Sequence, residues 1–285
     1  MTPFACPACD GTRSVPWLTA ADPAGAVPGQ FALVRCAGCG CGALQPQPDD
    51  ATLAAAYGES YRPHDGPADR DHSGTARRIP SGPPGTALVV GAGGGSNCAR
   101  LQAAGWRVIG IEPDPGAVAN AVAAGLDVRS GTAEGGPYPE ETFDLVWLPA
   151  VLEHVRDPLA AMRNAATRCA PTGRVVVWTQ NPDSRSARAY GADWIHLDPP
   201  RHLWHFTEQA LRALADRVGM RVDRLHTRSR PRGRLASAEI RARRAGRPRA
   251  LRRSRWRKAL LRPSCWWDDL RGAGDLWEAE LRPSS

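Results

Sequence analysis

A short apolar run, Ala87-Leu88-Val89-Val90, stops at Gly91-Ala92-Gly93-Gly94-Gly95. So many glycines straight after a buried strand leave the chain few options. It must turn sharply there, and its backbone stays open to a close neighbour. The next apolar run, Arg107-Val108-Ile109-Gly110-Ile111, ends in an acid, Glu112. A glycine turn between two strands, with an acid about 20 residues on, predicts a nucleotide-binding βαβ unit. A carboxylate at that tip can accept from both hydroxyls of a ribose. The chemistry fits any adenosine-containing cofactor, NAD included.

The rhythm continues downstream. Helices are predicted over 96–104, 114–124, 157–169 and 207–217. Strands are predicted over 126–128, 143–147, 174–178 and 220–226, with a last, antiparallel strand within 274–281. Alternation of this kind predicts an α/β fold: a Rossmann-like, doubly wound, mostly parallel seven-stranded sheet over residues 86–285. Residues 228–272 then form a basic insertion before the last strand. Residues 49–85 read as a short helix, opened by an N-cap candidate in Asp49-Asp50, and a Pro/Gly-rich linker.

The first 48 residues follow a different logic. Five of the eight cysteines crowd there. Cys6-Pro7-Ala8-Cys9 and Cys36-Ala37-Gly38-Cys39 each let two thiolates converge on one ion, and small residues after each pair permit a tight turn. Two such pairs about 27 residues apart predict a four-thiolate zinc ribbon, closed and structural. Cys41 is a spare thiol or a substitute for Cys39. Cys98, just inside a predicted helix, reads as packing before nucleophile.

Hydrophobic residues make up 42% of the 285, too many for a disordered chain. No run approaches the roughly 20 apolar residues of a membrane span. The first residues lack a basic stretch followed by an apolar one, so the expected address is the cytoplasm. The net charge of +8 is concentrated. Residues 228–262 hold 15 basic residues and one acid, Glu239, with Trp256 among the arginines. That segment admits a solvated helical insertion, an RNA-binding face, or a membrane-surface helix around 251–261.

Several segments, in order, resemble class I S-adenosylmethionine-dependent methyltransferases. Gly91, Gly93 and Gly95 match the cofactor loop, and Ile111-Glu112-Pro113-Asp114 matches the ribose site. Gly131-Thr132-Ala133-Glu134, followed by Pro137-Tyr138-Pro139, is similar to the adenine-side loop. Phe143-Asp144-Leu145-Val146 and Val151-Leu152-Glu153-His154-Val155 are similar to a following signature. Pro200-Arg201-His202-Leu203 with Phe206-Thr207 resembles a segment of a subgroup whose members often carry an N-terminal CxxC…CxxC module. The resemblance implies S-adenosylmethionine as cofactor, held by Gly91, Gly93, Gly95, Glu112, Pro113, Thr132, Ala133, Glu134 and Leu148. Two departures stand out: Val89 and Thr132 occupy positions where the family usually has acids.

The implied acceptor is a small molecule: a sugar, nucleotide-sugar or natural-product hydroxyl or carbon. Methylation of RNA through 228–262 is the alternative, and a decayed fold that only binds is another. A hydroxyl or carbon acceptor must lose a proton, and His154 is the candidate general base; a packing or turn-capping role is the competing reading. His196, His202 and His205 with Asp198 form a second cluster without the usual ligand spacing of a metal. Trp194 and Trp204 read equally as acceptor-stacking or as core-filling side chains.

Overall fold

In the computed structural model the described residues are 4–58, 79–247, 251 and 254–284. Most of the predicted linker (59–78), Arg249, Arg252 and Arg253 lie outside them. In chain order the elements are β1 (Ser14–Ala20), β2 (Phe31–Cys36), β3 (Gly42–Leu44), α1 (Asp50–Ala56), β4 (Thr86–Val90), α2 (Ser96–Ala103), β5 (Arg107–Glu112), α3 (Pro115–Ala123) and β6 (Val128–Ser130). Then come β7 (Phe143–Pro149), α4 (Pro158–Thr167), β8 (Cys169–Gln180), α5 (Arg185–Tyr190), β9 (Trp204–His205), α6 (Glu208–Asp216), β10 (Met220–Arg228), α7 (Pro231–Arg244), α8 (Arg255–Leu270) and β11 (Leu276–Pro283). They pack as two units. One gathers the described residues of 1–61, 179–213 and 225–278, and the other those of 62–178, 214–224 and 279–285.

The second unit carries most of a seven-stranded sheet of order β10-β11-β8-β7-β4-β5-β6. β4 pairs in parallel with both β5 and β7, β5 with β6, and β7 with β8. This is the Rossmann-like sheet that the alternation predicted. Its chain order reverses between β4 and β7, the switch point at which open α/β sheets bind ligands. Ala87 to Val90 are all at most 1% exposed, as a parallel strand covered on both faces requires. The helices start where the sequence caps them. Asp114 and Asp157 accept from the amides of Ala117 and Ala160, and a proline opens each helix.

The first unit holds a four-stranded antiparallel sheet, β1-β2-β3-β9. The register slips between Pro16 and Leu18, so Trp17 is a bulge. Its ring takes the Arg35 guanidinium carbon at 4.2 Å and meets His205 edge-on at 5.6 Å. Gly42 is required beside it, since a Cβ there would come within 2.8 Å of the indole. Helices α7 and α8 belong to this unit. Among the described residues, four of the 15 basic residues between 228 and 262 form ion pairs inside it. Arg234 pairs with Asp268, Arg241 and Arg244 with Asp193, and Arg228 with Glu278.

Candidate functional site

The glycine turn leaves β4 through three left-handed residues, Gly91, Gly93 and Gly95, at φ of 70°, 54° and 86°. Side chains would strain all three. Gly91 and Ala92 both donate to the carbonyl of Ile111, at 2.8 and 3.0 Å, which ties the turn to the end of β5. One residue on, Glu112 accepts from the Gly93 amide at 2.8 Å and from the Asp114 amide at 3.1 Å, one bond to each carboxylate oxygen. Each oxygen keeps a further lone pair. The acid, 5% exposed, is thereby held rigidly and can still accept from a diol. Pro113 beside it is exposed. Asn97, in the first turn of α2, has its Oδ1 buried with no partner among the described residues. An orphaned acceptor here calls for a donor from a ligand or a water. These features fit an adenosine-bearing cofactor.

Val89 is fully buried in the apolar cluster with Ala92, Cys98, Trp147 and Trp178. Core packing fills the position where the family carries an acid. Cys98 belongs to the same cluster, and burial pushes its thiol up to about 12. It is packing material.

After β6 the chain forms a tight loop. Thr132 and Gly136 exchange backbone hydrogen bonds at 3.0 Å, and the Thr132 hydroxyl accepts from the Gly135 amide at 2.9 Å. The hydroxyl proton stays available to donate. The Ala133 carbonyl accepts from Tyr138 and Asn164, and a Glu134 carboxylate oxygen accepts from the Asp157 amide at 2.7 Å. Thr132 to Glu134 are thus pinned to α4 and its cap.

The third wall follows β7. Leu148 is fully buried and pairs with Val177. Ala150 then adopts φ +59°, a left-handed conformation that costs about 1–2 kcal/mol without glycine. Its amide donates to the Trp178 carbonyl at 2.9 Å. This kink carries Val151 against Gly91 and leads into the turn in which the His154 amide bonds the Val151 carbonyl at 2.9 Å. His154 is half-buried at the carboxyl end of β7. Ala150 and Asn97 escaped sequence reasoning, and Val151 was read only as part of a family signature; nothing in their types announces a strained turn or an orphaned amide.

In the first unit the sulfurs of Cys6, Cys9, Cys36 and Cys39 lie within 4.8 Å of one another. Cys6–Cys39 and Cys9–Cys36 are each 3.5 Å apart. Tetrahedral zinc with Zn–S near 2.3 Å would hold sulfurs about 3.8 Å apart, so the set fits that ion. The two knuckles share a backbone design. Asp10 donates to the Cys6 carbonyl and Gly40 to the Cys36 carbonyl, each at 2.9 Å, and both donors are left-handed. Cys41 is not one of the four, but its thiol lies beside the Cys6 sulfur and bonds the Gly42 carbonyl at 3.7 Å.

The segment around Arg201 is interior. Arg201 is 1% exposed and pairs with Asp22 at 2.5 Å and Asp198 at 2.6 Å. His202 and His205 bond the carbonyls of His196 and Leu197. Trp194 and Trp204 are buried at 2% and 6%. Within this unit they fill core.

A family model described as a methyltransferase domain matches residues 73–258. The ubiquinone biosynthesis O-methyltransferase of Rhodopseudomonas palustris is 34% identical over 127 residues, covering 41% of this chain and 50% of that protein. The chain spans about half the length of the curated relatives it matches. The fold is similar to a SAM-dependent methyltransferase of Thermotoga maritima, with TM-score 0.50 and 17% identity over 73% of this chain and 84% of that one. It is also similar to an S-adenosylmethionine-dependent methyltransferase of Mesorhizobium loti, with TM-score 0.50 and 18% identity over 76% and 99%. At such identity the likeness concerns the fold.

Proposed function

Because the chain belongs to the methyltransferase-domain family, we propose that it transfers a methyl group from S-adenosylmethionine to a hydroxyl of a small-molecule acceptor. The observation that carries this reading is the Glu112 carboxylate, fixed by the Gly93 and Asp114 amides at the sheet's switch point. S-adenosylmethionine brings an activated methyl on a sulfonium, so the enzyme mainly supplies proximity and orientation. Glu112 accepts from the ribose hydroxyls. Gly91, Gly93 and Gly95 keep the backbone clear for the methionine and ribose portions, beside Pro113. Thr132, Ala133 and Glu134 border the adenine, and Leu148 backs the site from β7. His154 takes the acceptor's proton as general base.

Support for a hydroxyl acceptor comes from the O-methyltransferase relatives, and sugars, nucleotide-sugars and natural-product phenols or alcohols all satisfy it. RNA is the weaker reading, because Arg228, Arg234, Arg241 and Arg244 are engaged within the protein. The cysteine set supports one structural zinc, which would fix the two knuckles and take no part in transfer.

Calorimetry tests the proposal. S-adenosylmethionine should bind the wild type, and Glu112→Ala should remove that binding. No binding by the folded wild type sinks the enzyme reading and leaves a decayed fold. Turnover of a hydroxyl library by wild type and its loss in His154→Ala, with cofactor binding kept, tests the base.

A further inference from the structure

Helix α8 turns its apolar side outward. Trp256, Leu260, Pro263, Trp267 and Leu270 follow the i, i+4, i+7, i+11, i+14 spacing of one helical face, and Trp266 adjoins it. Trp256, Leu260, Trp266, Trp267 and Leu270 are 61%, 69%, 63%, 47% and 63% exposed. The opposite side is the anchored one. Cys265 and Asp268 are buried there, with Asp268 paired to Arg234 of α7 and the Ser264 hydroxyl accepting from the same arginine at 2.8 Å. A stripe with two solvent-facing tryptophans and a third beside it is a patch that soluble surfaces rarely leave unused.

Arginines border this stripe. Arg255, Arg262 and Arg271 are exposed. Arg257 lies 4.7 Å over the Trp256 ring, and Arg271 4.4 Å over Trp267. Arg185, Arg188 and Arg271 line a cleft of about 440 Å³ with Trp267 at the helix's carboxyl end. Of the helix's two acids, Asp268 is buried, lines the same cleft and pairs with Arg185 at 3.4 Å, and Asp269 is half-buried.

We propose that α8 is an interfacial helix that docks the protein on an anionic lipid surface. The indoles and leucines enter the boundary between head groups and acyl chains, and the flanking arginines pair with lipid phosphates. Charge selects this occupant. A second copy would set the same arginines against themselves. RNA could stack on the indoles but has no use for Leu260, Pro263 and Leu270 between them. Docking of this kind is independent of methyl transfer.

The test uses the full chain and sedimentation with vesicles. Phosphatidylglycerol-containing vesicles should bind it, pure phosphatidylcholine vesicles much less, and rising salt should weaken the binding. The triple variant Trp256→Ser, Trp266→Ser, Trp267→Ser should bind at least about tenfold more weakly. Its melting temperature should hold, since the replaced side chains face solvent. Leu260→Glu, a single change, should weaken binding in the same direction. Failure of the wild type to bind anionic vesicles overturns the proposal, as does undiminished binding by both variants. Tighter binding to single-stranded RNA than to vesicles, lost in the triple variant, overturns it in favour of nucleic acid. A dimer in sedimentation velocity that Leu260→Glu dissolves overturns it in favour of self-association.

Discussion

Val151 rests on the bare α-carbon of Gly91: its Cγ2 lies 2.6 Å from where a Cβ on that glycine would be. The two residues follow β4 and β7, the strands that flank the switch point. Their contact makes the glycine turn and the His154 turn a single packed layer. Gly91 is therefore constrained twice, by φ +70° and by the methyl against it.

Gly91→Ala should lower stability by about 2–4 kcal/mol, combining left-handed strain with overpacking. Gly125→Ala is the control. It shares a positive φ of 79° but has open space around it, so only the strain of about 1–2 kcal/mol remains. Urea denaturation of both variants reads the difference. Cofactor affinity should fall in the first and hold in the second.

Glu112→Ala strands the amides of Gly93 and Asp114. The loss of structure should be about 1–3 kcal/mol, and S-adenosylmethionine affinity should fall by more than about tenfold, the cost of one charged hydrogen bond. Glu112→Gln should lie between, because its amide nitrogen must face one of those two N–H groups. Calorimetry orders the three chains.

Metal analysis should find one zinc per chain. Chelation should unfold the first unit before the second, since a four-thiolate zinc contributes on the order of 10 kcal/mol to a small module. Circular dichroism during titration with a strong chelator records the step. Cys9→Ser should reproduce it at lower chelator, and Cys41→Ser should not.

Arg201→Ala should cost about 3–5 kcal/mol, because it leaves the Asp22 and Asp198 carboxylates without their cation in a buried place. Burial pushes the Asp22 carboxyl up, and the Arg201 hydrogen bond with backbone donors more than offsets it, holding it below the usual range. Arg201→Lys should rescue little, since an ammonium cannot span Asp198, Asp22 and the Ala56 carbonyl as the fork does. Thermal melts measure all three.

Burial drives the His205 ring down to about 4, against the hydrogen bond with the Leu197 carbonyl. In the unfolded chain it titrates near about 6.5. The folded state therefore binds fewer protons between those values. Stability from this residue is whole above about pH 6.5 and drains as pH falls toward 4, by about 3 kcal/mol in all. His205→Gln keeps a donor and takes up no proton, so its melting temperature should drop less steeply over that interval.

The glycine turn, Glu112 and the cysteine pairs were legible because each is written in adjacent residues. So were the strands of the parallel sheet, whose apolar runs need both faces covered. The four-stranded sheet was not. Its β3 pairs Gly42 and Ala43 with His205 and Trp204, and strands of three and two residues carry no alternation to read. Arg201 entered the sequence reading only as part of a family segment, with no role of its own. Only the partner Asp22, 179 residues away, reveals it as interior. In α8 the apolar periodicity was visible, but periodicity alone does not say which side meets solvent.

That same separation orders events on the ribosome. Nascent chains grow at roughly 5–20 residues per second, so Asp22 leaves the tunnel roughly 9–36 seconds before Arg201 does. Until then a carboxylate destined for the interior has only water and the backbone of Ala24, Ala26 and Val27 for company. The cysteine knuckles can take up metal early, but the unit built around them must wait for its distant arginine. Chaperone protection during synthesis would matter most over that interval.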